Sequence, residues 1–281
     1  MKLMIGTAQF GLNYGIKRKK INNKELKKIF NYLKKKKLNY FDTSNSYADS
    51  ERKIGGFKIK KNIITKIKLP KNRNLDLDKW LNIKINETLN KLKTNKLYGL
   101  LLHNTDDLKI KYLKNDIVES LKKLKKNKKV KNIGISIYTP DEIKKVLKLW
   151  IPDIVQLPLN FANTIFLKNN LIQKLKKKKI KICARSILLQ GILLQKKIYI
   201  GNLNSKKIFK KYVLWCKENK LSQLEYCLNF IKKFDIDFAV LGFDNLVQLK
   251  EINSVFNKKY RKNFKKFVLK DKILLDPRKW S

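Results

Sequence analysis

Four polar side chains of different type stand at the ends of short apolar runs. Asp42 and Tyr47 lie in FDTSNSYADSE (residues 41–51), with Asp42 directly after Leu38-Asn39-Tyr40-Phe41. Lys66 closes Asn62-Ile63-Ile64-Thr65-Lys66, and His103, the only histidine, follows Leu100-Leu101-Leu102. A free tyrosine titrates near roughly pH 10, so alone it is a poor proton donor at neutrality. A lysine ammonium close by favours the phenolate and lowers that pKa. A carboxylate paired to the lysine keeps it charged and oriented, and an imidazole can donate to or orient a carbonyl oxygen. Such a set suits proton transfer to or from an oxygen that becomes an alkoxide or alcohol. The hydride for a carbonyl reduction would have to come from a cofactor, because no side chain supplies one. Singly, each residue has an ordinary reading: Asp42 as a cap, Tyr47 as packing, Lys66 as one of 62 lysines, His103 as a strand-end histidine. Jointly, four polar types at the ends of three consecutive strands define a candidate site.

The elements that must position them follow from periodicity. Strands are expected near Lys2–Ile5, Tyr40–Asp42, Asn62–Thr65, Tyr98–Leu102, Val130–Ser136, Ile154–Leu157, Ile180–Ala184 and Phe238–Leu241. Between them Leu26, Ile29, Phe30 and Leu33 recur at helical spacing, as do Trp80, Ile83, Thr88, Leu89 and Leu92, and Ile117, Leu121 and Leu124. Thr139-Pro140-Asp141-Glu142 reads as a helix start, and Ser222 with Glu225 as a capping box. Strand–helix alternation over eight units predicts an α/β chain folded as a (β/α)8 TIM barrel, with its active site at the C-terminal strand ends. Residues 186–221 exceed one loop and one helix, so an extra excursion is expected there. Residues 1–281 read as a single domain. Its basic C-terminal segment 258–281, with Tyr260, Phe264, Phe267 and Trp280, either packs over the barrel mouth or is a loosely held tail.

The formal net charge is +46, from 62 lysines and 6 arginines against 22 acids. A nucleic-acid binder concentrates such charge on one face and mixes in arginine and aromatics. Here lysine is spread along the polar faces of helices, which points to compositional bias and solvated surfaces. The basic field would still favour phosphate-bearing ligands. Cys183, Cys216 and Cys227 have no metal or redox spacing and suit free thiols in a reducing compartment. With no signal peptide and no run long enough to cross a membrane, the expectation is a cytoplasmic protein without membrane or specific nucleic-acid partners.

The chain resembles the aldo-keto reductase superfamily. The resemblance is carried by LMIGTAQFGLNYG at 3–15, FDTSNSYADSERKIG at 41–55, ITKIKL at 64–69, YGLLLHN at 98–104, IGISIYTPDEI at 133–143, VQLPLNF at 155–161 and VLGFDNLVQLKEI at 240–252. It implies a barrel that binds NADPH or NADH across its mouth and reduces an aldehyde, ketone or sugar carbonyl, or runs the reverse. It also implies that Tyr47 is the general acid, Lys66 depresses its pKa, Asp42 partners Lys66, and His103 orients the substrate oxygen. Gly6 and Thr7 resemble contacts to the nicotinamide side, and Ser136 and Gln156 groups that hold its carboxamide. Gly242 and Asn245 resemble the adenosine-phosphate site at a helix start, with Gln248 and Glu251 on the adenine side. The chain departs from the family at several points. Ala48 stands where glycine usually follows the tyrosine. Asp244 replaces a small or basic group, Ile252 an asparagine, and no arginine is placed for a 2′-phosphate. Arg185 and Ser186 follow Ala184 where an aromatic often stacks on nicotinamide; Arg185 is then a candidate for a nucleotide phosphate or a sugar acid. That pattern resembles a bacterial subgroup often found beside surface-polysaccharide sugar genes. Two other readings compete with the enzyme. One is a non-catalytic nucleotide-binding barrel with a regulatory or sensing role. The other is a polyanion binder driven by net charge.

Overall fold

In the computed structural model, which describes residues 1–70, 76–109, 114–259 and 265–280, eight parallel strands close on themselves in sequence order. They are β1 (Lys2–Gly6), β2 (Tyr40–Asp42), β3 (Asn62–Ile67), β4 (Leu97–Leu102), β5 (Val130–Ser136), β6 (Ile154–Pro158), β7 (Lys181–Arg185) and β8 (Phe238–Leu241). Helices α1 (Ala8–Gly11) and α2 (Asn23–Lys35) follow β1, and α3 (Ser50–Gly55), α4 (Leu77–Leu92), α5 (Lys114–Lys126), α6 (Pro140–Leu147) and α7 (Leu171–Lys177) follow β2 to β6 in turn. Two helices, α8 (Leu203–Glu218) and α9 (Gln223–Ile231), separate β7 from β8, and α10 (Leu246–Asn257) follows β8. The expected excursion is therefore a 3₁₀ turn at Leu189–Leu194 plus the whole of α8.

Strands β1, β3, β4, β6, β7 and β8 carry buried apolar side chains on both faces, as strands buried on both sides of a parallel sheet do. Met4, Ile64, Leu101, Ile154, Cys183 and Phe238 point inward and plug the barrel. Alternating positions such as Leu3, Ile63, Leu100 and Ile182 point outward and meet the helices. On α2 the expected stripe of Leu26, Ile29, Phe30 and Leu33 is the buried one. On α4 the expectation is corrected. Leu81 and Ile85 share the buried face with Thr88, Leu89 and Leu92, while Ile83 is 48% exposed and Trp80 is only part-buried. The helix carries two overlapping apolar stripes, and period alone does not say which meets the sheet. Both capping boxes form: Thr139 with Glu142 on α6 and Ser222 with Glu225 on α9.

Register brings the strand ends to one rim. Gly6 pairs with Asp42, Lys66 with Leu101, Ser136 with Gln156, and Pro158 with Arg185. The C-terminal segment packs against the fold over residues 265–280. Phe267, Leu269 and Leu274 are buried, and Lys265 O accepts the Tyr226 hydroxyl at 2.6 Å. Tyr260 and Phe264 lie outside the described residues. All three cysteines are free and buried. Among the described residues no helix is long and apolar enough to cross a membrane.

Candidate active site

The end of β2 and the loop after it are tied down from three sides. The Thr7 hydroxyl donates to Asp42 O at 2.9 Å, and the Ser50 hydroxyl bonds Thr7. Gly11 in α1 packs backbone to backbone on this loop. A Cβ there would fall 1.9 Å from Tyr47 O, so only glycine allows the approach. Ala48 has φ of 47°, a left-handed conformation in which glycine would be unstrained. The departure from the family's glycine therefore places mild strain beside Tyr47.

Lys66 rises from β3 with its side chain only 2% exposed. Its ammonium donates to Asp42 Oδ1 at 2.8 Å and Thr43 O at 2.7 Å, and lies 5.2 Å from the centre of the Tyr47 ring. The His103 ring meets Tyr47 edge-on, with centroids 6.2 Å apart. Its Nδ1 is 3.1 Å from the Ser44 hydroxyl. The four residues singled out in the sequence thus form one cluster. They line a cavity of about 380 Å³ together with Gly6, Thr7, Ser136, Gln156, Arg185, Ser186, Gly242, Gln248 and Glu251.

The electrostatics modify the expectation for Tyr47. Tyr47 keeps some surface open to the cavity and is enclosed by protein on its other sides. That desolvation pushes the phenol above its ordinary value. Lys66 pulls it down as expected, yet by less than burial raises it. Tyr47 is therefore held protonated at neutral pH, with Lys66 offsetting part of the effect of burial. Burial alone would discharge Lys66; Asp42 and Tyr47 reverse this and hold its pKa above the usual lysine range. Burial, then the cations Lys66, Lys68 and Arg185, pull His103 down to about 3, so the imidazole is neutral.

The His103 shift makes stability depend on pH. Between pH 6.5 and about 3 the unfolded chain binds a proton at His103 that the folded chain does not. Stability from this group is thus complete above pH 6.5 and falls with acidification, by at most about 1.4 kcal/mol per pH unit. Urea unfolding across that range is expected to show a shallower pH slope in His103→Asn than in the parent. Equal slopes would contradict the assignment.

Gln156 sits wholly buried at the centre of the rim. Its Nε2 donates to Asp42 Oδ1 at 2.7 Å, while its Oε1 is buried without a partner. Gly6 and Gly242 leave the neighbouring rim bare of side chains; a Cβ on Gly6 would come within 3.2 Å of Gly242 N. At the start of α10 three backbone donors are already used by the chain itself. Leu246 N–H goes to Glu25 Oε1 at 2.7 Å, Gln248 N–H to Asn245 Oδ1 at 2.9 Å, and Asp244 N–H to Gln248 Oε1 at 2.7 Å. Asn245 is an N-cap and does not line the cavity.

Sequence reasoning missed Ser44, Tyr14 and Tyr138. Tyr138 was within reach of it, because two-residue alternation puts it on the face of Ser136. Tyr14, in a bridge-closed loop after α1, carried no such signal. Among the described residues no cluster of metal ligands is present.

The aldo/keto reductase family model matches residues 2–267. No curated protein matches the chain. Among solved structures, the chain is similar to the holo form of aldo-keto reductase AKR11C1 from Bacillus halodurans, with TM-score 0.74 and 16% identity over 93% of this chain and 88% of that one. It is also similar to the glycerol dehydrogenase AKR11B4 from Gluconobacter oxydans (0.71, 16%, 92% and 86%). A third is an aldo/keto reductase from Klebsiella pneumoniae in complex with NADP and acetate (0.67, 15%, 91% and 86%). Because the family match runs through every strand that sends a side chain into the cavity, the chain belongs to the aldo/keto reductase family and is an NAD(P)-dependent oxidoreductase.

Proposed function

We propose that the protein reduces an aldehyde or ketone, sugar carbonyls included, to an alcohol, with Tyr47 as general acid. The observation that carries this reading is the Asp42–Lys66 pair locked at 2.8 Å beneath the Tyr47 ring, with a neutral His103 across from it. A protonated phenol donates to the carbonyl oxygen, and the ammonium 5.2 Å from its ring centre stabilises the phenolate left behind. In the tautomer where the Ser44 hydroxyl turns from Lys66 O to donate to Nδ1, His103 carries its proton on Nε2 and offers it to the same oxygen. Asp42 holds Lys66 charged and in place.

The rim fits a nicotinamide dinucleotide. The partnerless Gln156 Oε1 would accept from the primary carboxamide. Ser136, whose hydroxyl has no protein partner among the described residues, would bond the same group, and the bare rim at Gly6 and Gly242 would take the flat ring. Thr7 and Ser186 complete that end of the cavity, with Gln248 and Glu251 at the other. When bound, the dinucleotide supplies the hydride. NADH is the favoured form. The first amide of α10, which a phosphate could use, already bonds Glu25; Asp244 and Glu251 add negative charge nearby, and among the described residues no arginine pairs with them.

A purified sample offered NADH or NADPH with a panel of aldehydes, ketones and sugars tests both points. Turnover with kcat/KM at least about tenfold higher for NADH is expected, corresponding to about 1.4 kcal/mol. Tight dinucleotide binding without turnover of any carbonyl class would instead favour the sensing barrel.

A further inference from the structure

Arg185 is a cation without a counterion. It ends β7 on the inward face, two residues after Cys183, and is half-buried in the cavity wall. Its guanidinium lies 4.1 Å from the centre of the Tyr138 ring and donates to Ile137 O at 3.2 Å and Ser186 Oγ at 3.3 Å. Two of its five N–H donors are thereby used, and among the described residues no carboxylate lies within ion-pair distance. A control stands beside it. Arg278, from the C-terminal segment, lies 3.6 Å from the centre of the same ring, but Asp276 holds it with bonds of 2.8 and 2.7 Å. One guanidinium on Tyr138 is neutralised and the other is not, and the unpaired one is the one that faces the cavity. Tyr14, which shares that wall, also has no hydrogen-bond partner for its hydroxyl among the described residues.

An arginine fork with free donors, partly withdrawn from water, is suited to a planar bidentate carboxylate. We infer that Arg185, with the Tyr14 hydroxyl beside it, seats a carboxylate carried by the substrate, so that the preferred carbonyl compound is an oxo acid or aldehyde acid. The Arg185 field reaches the reacting groups, since it lowers the proton affinity of both Tyr47 and His103. This inference rests on the reading of Tyr47 as general acid and deepens it. The carbonyl carbon gains hydride, its oxygen gains the Tyr47 proton, and the carboxylate leaves unchanged. Of the two roles the sequence leaves open for Arg185, a nucleotide phosphate or an acid, this assigns it to the acid.

The test compares para-carboxybenzaldehyde with its methyl ester, reduced by NADH. In the parent enzyme the acid is expected to exceed the ester by at least about tenfold in kcat/KM. In Arg185→Gln that ratio should fall to about one, and Arg185→Lys, which keeps the charge and guards against a folding defect in the first variant, should recover part of it. A ratio near one in the parent, or one unmoved in Arg185→Gln, overturns the inference while leaving the proposed activity standing. An unmoved ratio with weakened NADH binding by calorimetry returns Arg185 to the cofactor. If neither aldehyde is reduced while other carbonyls of the panel are, the inference fails and the proposed activity stands; if no carbonyl class is reduced, both fail.

Discussion

Tyr47→Phe is expected to lower kcat by about 10²–10⁴-fold while NADH binds nearly as before. The substitution removes one atom and keeps the rest of the contact set. The phenyl ring retains its place 5.2 Å from the Lys66 ammonium and edge-on to His103. What disappears is the proton donor. Water is a poor substitute within a walled cavity, and His103, with its pKa near 3, cannot act as an acid at neutral pH. The parent should show no basic limb in kcat below roughly pH 10, because burial holds the phenol above its ordinary value. Steady-state assays across pH and a fluorescence titration with NADH measure both effects. A variant within about tenfold of the parent in kcat would remove Tyr47 from the reaction.

Much of this site was legible because each principal residue ends an apolar run. Val130–Ser136 and Phe238–Leu241 form strands with the bounds read from the sequence, since short apolar stretches between amphipathic helical ones leave few alternatives. Asp42, Lys66 and His103 then fall at one rim by the logic of a closed barrel. The balance at Tyr47 was not legible. Lysine proximity argues for a lowered pKa, and only the enclosure shows burial to be the stronger influence. Ser44 was equally hidden. It is one of four small polar residues in Thr43-Ser44-Asn45-Ser46, and the turn, not composition, decides which meets His103. The Arg185–Tyr138–Arg278 grouping joins β7, the loop after β5 and the C-terminal segment, which no local pattern links.

Lys66→Met should damage both stability and turnover, and the two losses separate. Asp42 Oδ1 accepts from Lys66 Nζ at 2.8 Å and Gln156 Nε2 at 2.7 Å, with its side chain only 7% exposed. Among the described residues, deleting the lysine leaves a buried carboxylate with the Gln156 amide as its one side-chain donor. Breaking one side of such a pair costs about 3–5 kcal/mol. Asp42→Asn/Lys66→Met removes the orphaned charge and should be more stable than Lys66→Met at neutral pH. Yet it cannot regain turnover, because the ammonium that stabilises the Tyr47 phenolate is still missing. Urea unfolding and kcat/KM for the parent and both variants resolve the two roles. If Lys66→Met costs less than about 1 kcal/mol, the pair is not the desolvated anchor its burial implies. If the double variant turns over like the parent, Lys66 holds the barrel rim together and has no part in moving the proton.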